Sequence, residues 1–410
     1  MNVGGRKKIV LLGMMANMPV AGMVWQYIHY LVGFKRLGFD VYYVEQHARN
    51  PSMFMKTQQC DGSAGAAAFL DRIMRRFDFA DAWAYQALHA DGRWFGMSEA
   101  KVRALFGSAE LIINMHGGTA PRPEHTATGR LVYLGTDPVE VEIQLHCQKQ
   151  TTVDYVAQHV AFFTFGENLG NADCRLPVSD RFKFVPTRQP VVLDFWQTDE
   201  PPQSEHFTTV GNWRQGWRQV QFNGRTYTWS KDVEFRKVID LPRRTSQTFE
   251  LALGSCPPEA KQQLEANGWR VRDALTFSTD ADAYRAYIEN SRGEFTVAKE
   301  QNVEFRSGWF SDRSASYLAA GRPVVTQETG FSNIFPTGEG LFSFSDAAGI
   351  LQAIDAINAD YAKHAKAARE VARSYFSHEL VLGRLLESVG SSTRPAAAVR
   401  ASDAQPTARL

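Results

Sequence analysis

The chain has 410 residues, of which 44% are hydrophobic and 22% charged, and this length exceeds what one hydrophobic core usually organises. We therefore expect two domains of similar size. The 45 basic and 44 acidic residues leave a formal net charge of +1, which excludes an overall field that would draw the chain to nucleic acid or anionic lipid.

The cysteines and the apolar runs disfavour a zinc-binding, redox-active, secreted or membrane protein. The four cysteines form no C-x-x-C pair, so a zinc ribbon or a redox dithiol is disfavoured. Basic residues precede the apolar run at 9–12, but that run is too short for a signal peptide and no small-residue cleavage site follows it directly. No apolar stretch reaches the roughly 18 residues of a membrane span. We expect a cytoplasmic protein that needs no cofactor.

The first half of the chain has the pattern of a doubly wound α/β domain. A predicted strand at 8–13 is followed by a helix from about residue 22 to 37, closed by Gly38, and by a strand at 40–45. Further apolar runs bounded by turn residues are typical of buried parallel strands; they lie at 111–115, 131–134 and 161–165. We assign residues 1–190 to this domain.

A second α/β series follows a proline-rich segment at 177–206, where we expect the domain boundary. Its predicted strands lie at 208–210, 248–253, 269–271, 295–299, 323–326 and 340–342. Residues 191–360 form the second domain in this assignment. The pattern is helical to about residue 389, and residues 391–410 have few large apolar groups, which predicts a disordered tail. The predicted fold is α/β, with two Rossmann-like domains facing across a cleft.

The segment 307–331 carries the densest chemical signal. Ser311 or Asp312 is a good helix N-cap, Gly321 ends the helix, and a strand starts at Pro323. Free N–H groups at the helix start, with donors from Ser311, Ser314 and Arg313, could hold a diphosphate without a metal. An ordinary surface helix before a core strand is the alternative.

This segment resembles the C-terminal domain of GT-B glycosyltransferases, in which a phosphate-contacting helix precedes a Gly-x-Pro-Val-Val turn and a Thr/Gly loop. The matching residues are 321–325 and the loop Glu328, Thr329 and Gly330. The resemblance covers about residues 295–389 and is closest to bacterial family-one and CgeB-like members. It implies a hexosyltransferase that uses a nucleotide-diphosphate sugar, with helices at 361–390 crossing back to the first domain.

One departure from the family leaves the stereochemistry open. Retaining members with an E-x7-E pattern have glutamates where this chain has Gly308 and Ser316. The contact that the second glutamate makes with the ribose therefore cannot be assigned to Ser316. Asp312 is a substitute candidate that would accept a hydrogen bond from a sugar hydroxyl. The reaction is therefore either retaining or inverting.

A second signal lies at the start of the second domain, where a predicted strand ends in Gly211, Asn212 and then Arg214. In the GT-B family this loop faces the pyrophosphate across the cleft. Gly211 would permit close backbone approach, and Arg214 could balance the phosphate charge. Lys231 or Lys299 could supply the cation instead, and the alternative is a turn with a structural tryptophan.

His116 and Asp137 are the candidates for a catalytic base. Both follow predicted strands of the first domain, and ligands of doubly wound folds bind at the carboxyl ends of strands. An inverting mechanism needs a base that deprotonates the acceptor, and His116 is favoured over Asp137 for this role. A lone histidine in a loop is also often a structural hydrogen-bonding residue.

Rival nucleotide-binding classes lack their fingerprints. The first strand is followed by Gly-Met-Met-Ala-Asn-Met and not by G-x-G-x-x-G, and no G-x-x-x-x-G-K-[ST] occurs. A nucleotide-sugar epimerase of similar fold and a non-catalytic sugar-nucleotide-binding protein remain as alternatives. No metal, nucleic acid or membrane partner is expected, and the sequence does not identify the acceptor.

Overall fold

The computed structural model describes residues 5–57, 59–216 and 218–391, and the predicted tail from residue 392 onward lies outside the described residues. The first domain is an eight-stranded sheet in the order β4-β3-β2-β1-β5-β6-β7-β8, parallel except for β4. Its strands are β1 (Lys8–Leu12), β2 (Asp40–Glu45), β3 (Trp83–Gln86), β4 (Trp94–Gly96), β5 (Leu111–Met115), β6 (Leu131–Gly135), β7 (Ala161–Thr164) and β8 (Phe184–Pro186). Its helices are α1 (Ala21–Arg36), α2 (Ser63–Arg76), α3 (Glu99–Ser108), α4 (Pro123–Thr126), α5 (Glu140–His146) and α6 (Gln150–Val156).

The second domain has a six-stranded parallel sheet in the order β13-β12-β9-β14-β15-β16, beside a separate hairpin of β10 and β11. Its strands are β9 (Phe207–Asn212), β10 (Val220–Phe222), β11 (Arg225–Tyr227), β12 (Phe249–Gly254), β13 (Arg270–Asp273), β14 (Gly293–Thr296), β15 (Val324–Gln327) and β16 (Leu341–Phe344). Its helices are α7 (Asp232–Arg236), α8 (Pro258–Ala266), α9 (Ala281–Asn290), α10 (Glu300–Phe305), α11 (Asp312–Ala319) and α12 (Ala347–Ala359).

The strand order reverses once within each sheet. In the first sheet the reversal lies between β1 and β5, and in the second between β9 and β14. The central strands are buried on both faces and consist mainly of apolar residues, as in residues 9–12 of β1 and in the fully buried β5. Both domains therefore have the doubly wound arrangement, which opens a crevice at the carboxyl ends of the strands beside the reversal.

The hairpin of β10 and β11 extends from the second domain onto the first. Its turn is Asn223-Gly224, with φ of 50° and 74°, as a type I′ turn requires. Val220 of the hairpin packs in a buried apolar cluster with Val139 and Ile143 of the first domain. The hairpin therefore bridges the two domains along one side.

The last helices contact the first helix of the chain. They are α13 (Tyr361–Val371) and α14 (His378–Ser388), joined by a π-helical turn at Ala372–Phe376. A Cβ placed on Gly33 of α1 would lie 2.6 Å from Leu382 Cδ1, so α1 and α14 pack closely because residue 33 has no side chain. In the described part of the chain, no helix is both long and apolar enough to cross a bilayer.

Candidate active site in the interdomain cleft

Two neighbouring strands of the first sheet bring His116 and Asp137 to one edge. His116 directly follows β5, at the strand reversal, and Asp137 lies two residues after β6. Since β5 and β6 are parallel, their carboxyl ends meet. Both side chains lie where doubly wound domains bind their ligands.

The His116 ring has one nitrogen in a hydrogen bond and the other unpartnered. Its Nδ1 lies 2.5 Å from Thr136 Oγ1, and the ring packs edge-on against Tyr27. Nε2 is buried and has no hydrogen-bond partner among the described residues. Burial lowers the pKa of His116 to about 4, against an opposing effect of Asp137. The imidazole is neutral near pH 7, and with Nδ1–H donating to Thr136 the Nε2 lone pair can accept a proton.

Asp137 forms an ion pair across the cleft. Lys299, three residues after β14, places its Nζ 2.5 Å from Asp137 Oδ1. Arg218 Nη1 lies 3.5 Å from Asp137 Oδ2, and its Nε donates to Glu140 at 2.9 Å. Burial raises the pKa of Asp137, but Lys299 and Arg218 together outweigh burial and hold this pKa below its usual value. The carboxylate is therefore ionised near neutral pH and links the two domains.

Two tryptophans surround the Lys299 ammonium. Its Nζ lies 3.7 Å from the ring centroid of Trp229 and 5.5 Å from that of Trp309. The Arg218 guanidinium lies 4.6 Å from the Trp229 ring centroid, within the range of cation–π attraction. Trp309 Nε1 donates to the Thr136 carbonyl at 3.1 Å, a second contact between the domains. Aromatic surfaces thus position the two cations facing the His116 edge.

Lys231 adds a third basic side chain on the second-domain side. Its Nζ donates to Thr296 Oγ1 at 3.1 Å, and no carboxylate in the described ranges forms an ion pair with it. Burial lowers the pKa of Lys231 well below its usual value, and Arg313 lowers it further. An anion bound beside this amine would favour its charged form.

Helix α11 begins at the surface between the domains. Ser311 is its N-cap, and the buried Ser314 Oγ has no hydrogen-bond partner among the described residues. Asp312 lines the same small cavity as Gly22 and Gln26 of the first helix. Burial raises the pKa of Asp312, against an opposing effect of Arg313 and of the first backbone N–H groups of the helix. The helix start therefore faces the first domain.

Arg313 is directed into the second sheet. Its Nε donates to Glu294 Oε1 at 2.5 Å, its Nη1 to the Val210 carbonyl at 2.6 Å, and its Nη2 to Thr296 Oγ1 at 3.1 Å. All three guanidinium nitrogens are engaged, and the side chain ties α11 to β9 and β14. In this arrangement Arg313 has no free guanidinium nitrogen for the phosphate contact that the sequence predicted.

The other donor-site residues predicted at the start of the second domain lie at the end of β9. Gly211 and Asn212 are its last two residues, and a Cβ on Gly211 would lie 4.0 Å from Arg313 Nη1. Arg214 is exposed and forms no ion pair within the described ranges. The structure brings Gly211 close to α11 and leaves Arg214 at the surface.

The predicted Thr/Gly loop packs against the segment before α11. The Thr329 carbonyl accepts from Gly308 N at 2.6 Å, and Thr329 Oγ1 donates to the Trp309 carbonyl at 2.7 Å. Glu328 accepts from Gly330 N and lies 3.7 Å from Arg306. The loop therefore supports Trp309, which reaches the Lys299 side chain.

Three non-glycine residues around the cluster have positive φ angles: His116 at 60°, Val139 at 102° and Arg218 at 119°. Such a conformation is strained, above all for the β-branched valine. Strained residues persist where the surrounding structure holds them, and they concentrate at functional sites. Their location around one cleft supports its assignment as the candidate site.

The sequence reasoning missed Arg218 and Trp229. Both flank the hairpin, which was not predicted, although Asn223-Gly224 between short β-type runs is a strong hairpin signal. Recognising that turn would have indicated an excursion between β9 and α7. The described residues contain no group of three or more His, Cys, Asp and Glu side chains that could hold a metal ion.

Comparison with known proteins identifies the fold. No protein-family model and no curated protein matches the chain. Among solved structures, the chain is similar to HepE of Anabaena in complex with UDP and glucose, with 12% identity, TM-score 0.52, and coverage of 94% of this chain and 100% of that one. It is also similar to the pneumococcal O-GlcNAc transferase GtfA in complex with UDP and GlcNAc, with 10% identity, TM-score 0.52, and coverage of 94% and 99%. A third is an alpha-glucosyltransferase in complex with UDP and DNA, with 10% identity, TM-score 0.54, and coverage of 95% and 100%. The chain has the GT-B fold of two Rossmann-like domains.

Proposed function

We propose that this chain transfers a sugar from a nucleotide-diphosphate donor to an acceptor. The observation that supports this best is a group of basic side chains near His116: Lys299 and Arg218 both pair with Asp137, and Lys231 donates to Thr296 at the end of β14. Two cations and a buried amine that an anion would charge suit a diphosphate, and a neutral imidazole near them suits proton abstraction. The similar HepE and GtfA structures contain bound UDP, which is consistent with this proposal.

The leaving diphosphate would be neutralised by the protein itself. Lys299 and Lys231 would donate to its oxygens, and the first turn of α11 with Ser314 would add N–H and O–H groups. Arg313 would act indirectly, by fixing α11 on the sheet through Glu294. In this proposal transfer needs no divalent metal, so a chelator should leave turnover unchanged.

The chemical step would be an inverting displacement. His116 Nε2 would accept the proton of the acceptor hydroxyl while that oxygen attacks the anomeric carbon. The bond from this carbon to the donor's phosphate oxygen breaks, and the electron pair leaves on the diphosphate. Thr136 would orient the ring through Nδ1. Asp137 is the alternative base, and a retaining mechanism would need neither residue in this role.

Finer assignments belong to the same proposal. Residues 1–190 would bind the acceptor and residues 191–360 the donor, with 361–390 completing the first domain. The transferred group would be a hexose, the enzyme would act in the cytoplasm, and its nearest relatives would be bacterial family-one or CgeB-like enzymes.

The test is a turnover assay with UDP-, dTDP- and GDP-sugars, with and without a panel of sugar, lipid and peptide acceptors. The proposal predicts release of a nucleoside diphosphate that requires an acceptor. Isomerisation of the donor sugar without an acceptor would identify an epimerase instead. Donor binding without turnover for any acceptor would favour a non-catalytic binding protein.

A further inference from the structure

Two of the cations proposed to bind the donor, Lys299 and Arg218, already pair with the Asp137 carboxylate. Asp137 Oδ1 lies 2.5 Å from Lys299 Nζ, and Arg218 approaches the second carboxylate oxygen to 3.5 Å. The Lys299 ammonium is enclosed by this carboxylate and by Trp229 and Trp309. A phosphate oxygen could bind Lys299 at full strength only after this carboxylate has moved away.

We propose that the Asp137 carboxylate is an internal substitute for the donor's diphosphate, and that the donor displaces it from Lys299. This inference rests on the proposed function and adds a regulatory step at the same site. The exchange breaks one charge-assisted contact and forms another, with no covalent change. The Asp137 carboxylate compensates the buried Lys299 ammonium, because a buried charge without a partner would be costly.

The position of Asp137 gives the exchange a consequence for catalysis. The carboxylate precedes Pro138 and the strained Val139, and its neighbour Thr136 holds the His116 ring. Once released from Lys299, it remains beside His116 and can stabilise the imidazolium that forms when the base takes its proton. Donor binding and activation of the base are then one event, so the donor binds before the acceptor reacts.

Calorimetry with UDP, dTDP and GDP tests the exchange in the full chain. Asp137→Asn removes the competing charge, so it should bind the preferred nucleotide about 10- to 100-fold more tightly than the wild type, the strength of one charge-assisted contact. Asp173→Asn is the matched control, because Asp173 pairs with Arg306 across the domains at 2.7 Å and does not contact Lys299. Glu140→Gln removes a neighbouring charge that pairs with Arg218 and not with Lys299.

A double-mutant cycle with Lys299→Met shows whether Asp137 lowers nucleotide affinity by occupying Lys299 or only by repelling the diphosphate through its charge. The gain from Asp137→Asn should vanish in the Lys299→Met background. Unchanged or weaker binding by Asp137→Asn, or an equal gain from Glu140→Gln, overturns the exchange. If Asp137→Asn does not fold, Asp137→Ser takes its place in the cycle. Absence of binding by any of the three nucleotides to the wild type contradicts the proposed function and this inference together, whereas wild-type binding without the gain contradicts the inference alone.

Discussion

At the scale of single residues, the pKa of His116 sets the conditions for its chemistry. Burial lowers this pKa to about 4, so the ring is neutral near pH 7 but a weak base. A bound diphosphate would add negative charge nearby and raise the pKa of the imidazole. The base would therefore become effective when the donor is present.

Removing the His116 imidazole should slow the chemical step and leave the affinity for the donor unchanged. We expect His116→Ala to lower kcat by about 10²- to 10⁴-fold, the usual contribution of a general base. Thr136→Val should lower kcat less, because it removes only the hydrogen bond that orients Nδ1. Steady-state kinetics and the anomer of the product measure this. An inverted product formed at the wild-type rate by His116→Ala would transfer the role to Asp137.

A buried histidine of the first domain should make stability depend on pH. His159 accepts from Asn114 Nδ2 at 3.1 Å, and burial lowers its pKa to about 4. As the pH falls below about 6.5 the unfolded chain takes up the proton first, so the contribution of His159 to stability falls by about 2 kcal/mol between pH 7 and pH 5. Glu167, with a pKa raised to about 7, acts in the opposite direction.

The comparison with His159→Gln isolates this group, because Glu167 is present in both proteins. Urea unfolding at pH 7 and pH 5 should show the wild type losing more stability than the variant. Equal losses in the two proteins would mean that His159 is charged in the folded state at pH 5.

At the scale of elements, the sequence predicted the buried strands better than the edge strands. Runs rich in apolar residues predicted β1, β2, β5, β6 and β7, because these strands are largely buried. The strands at Trp83–Gln86 and Phe184–Pro186 are short and lie toward the sheet edges, where the pattern is weak. The direction of the Arg313 side chain depends on tertiary contacts with Glu294, which local spacing does not encode.

The bridging role of the hairpin can be tested by adding one methyl group at its turn. Gly224 has a φ of 74° and open space around a Cβ, so Gly224→Ala costs about 1–2 kcal/mol of local strain and causes no clash. Amide hydrogen exchange at Val220–Phe222 and Arg225–Tyr227 should become faster, and turnover should fall as Arg218 loses its support. Gly129→Ala has a similar φ of 62° and open space, so it serves as the control. Unchanged exchange in the hairpin would contradict the bridging role.

The contact between the last helix and the first helix should contribute strongly to stability. Leu382 is fully buried against Gly33, so Leu382→Ala should lower the free energy of unfolding by about 2–5 kcal/mol. Leu275→Ala, at a leucine that is 49% exposed, should change it little. Thermal unfolding measures both variants. Equal melting temperatures for the two variants would show that α14 does not stabilise the first domain.

At the scale of the whole molecule, the sequence indicated two doubly wound domains, and the fold comparison confirms them. Length and the two series of buried strands were sufficient for that prediction. The candidate site was harder to predict, because His116, Asp137, Arg218 and Lys299 come from four separate loops that tertiary folding brings together. The ion pair between Asp137 and Lys299 could not be predicted from spacing, since 161 residues separate the two in the chain.

Calorimetry of Lys299→Met with UDP, dTDP and GDP tests whether Lys299 binds the diphosphate of the donor. Lys363→Met is the matched control, because that lysine pairs with Glu339 on the exposed surface. We expect the wild type and the control to bind one of the three nucleotides equally well, and Lys299→Met to bind it about 10- to 100-fold more weakly. Equal affinity in all three proteins would contradict this role of Lys299.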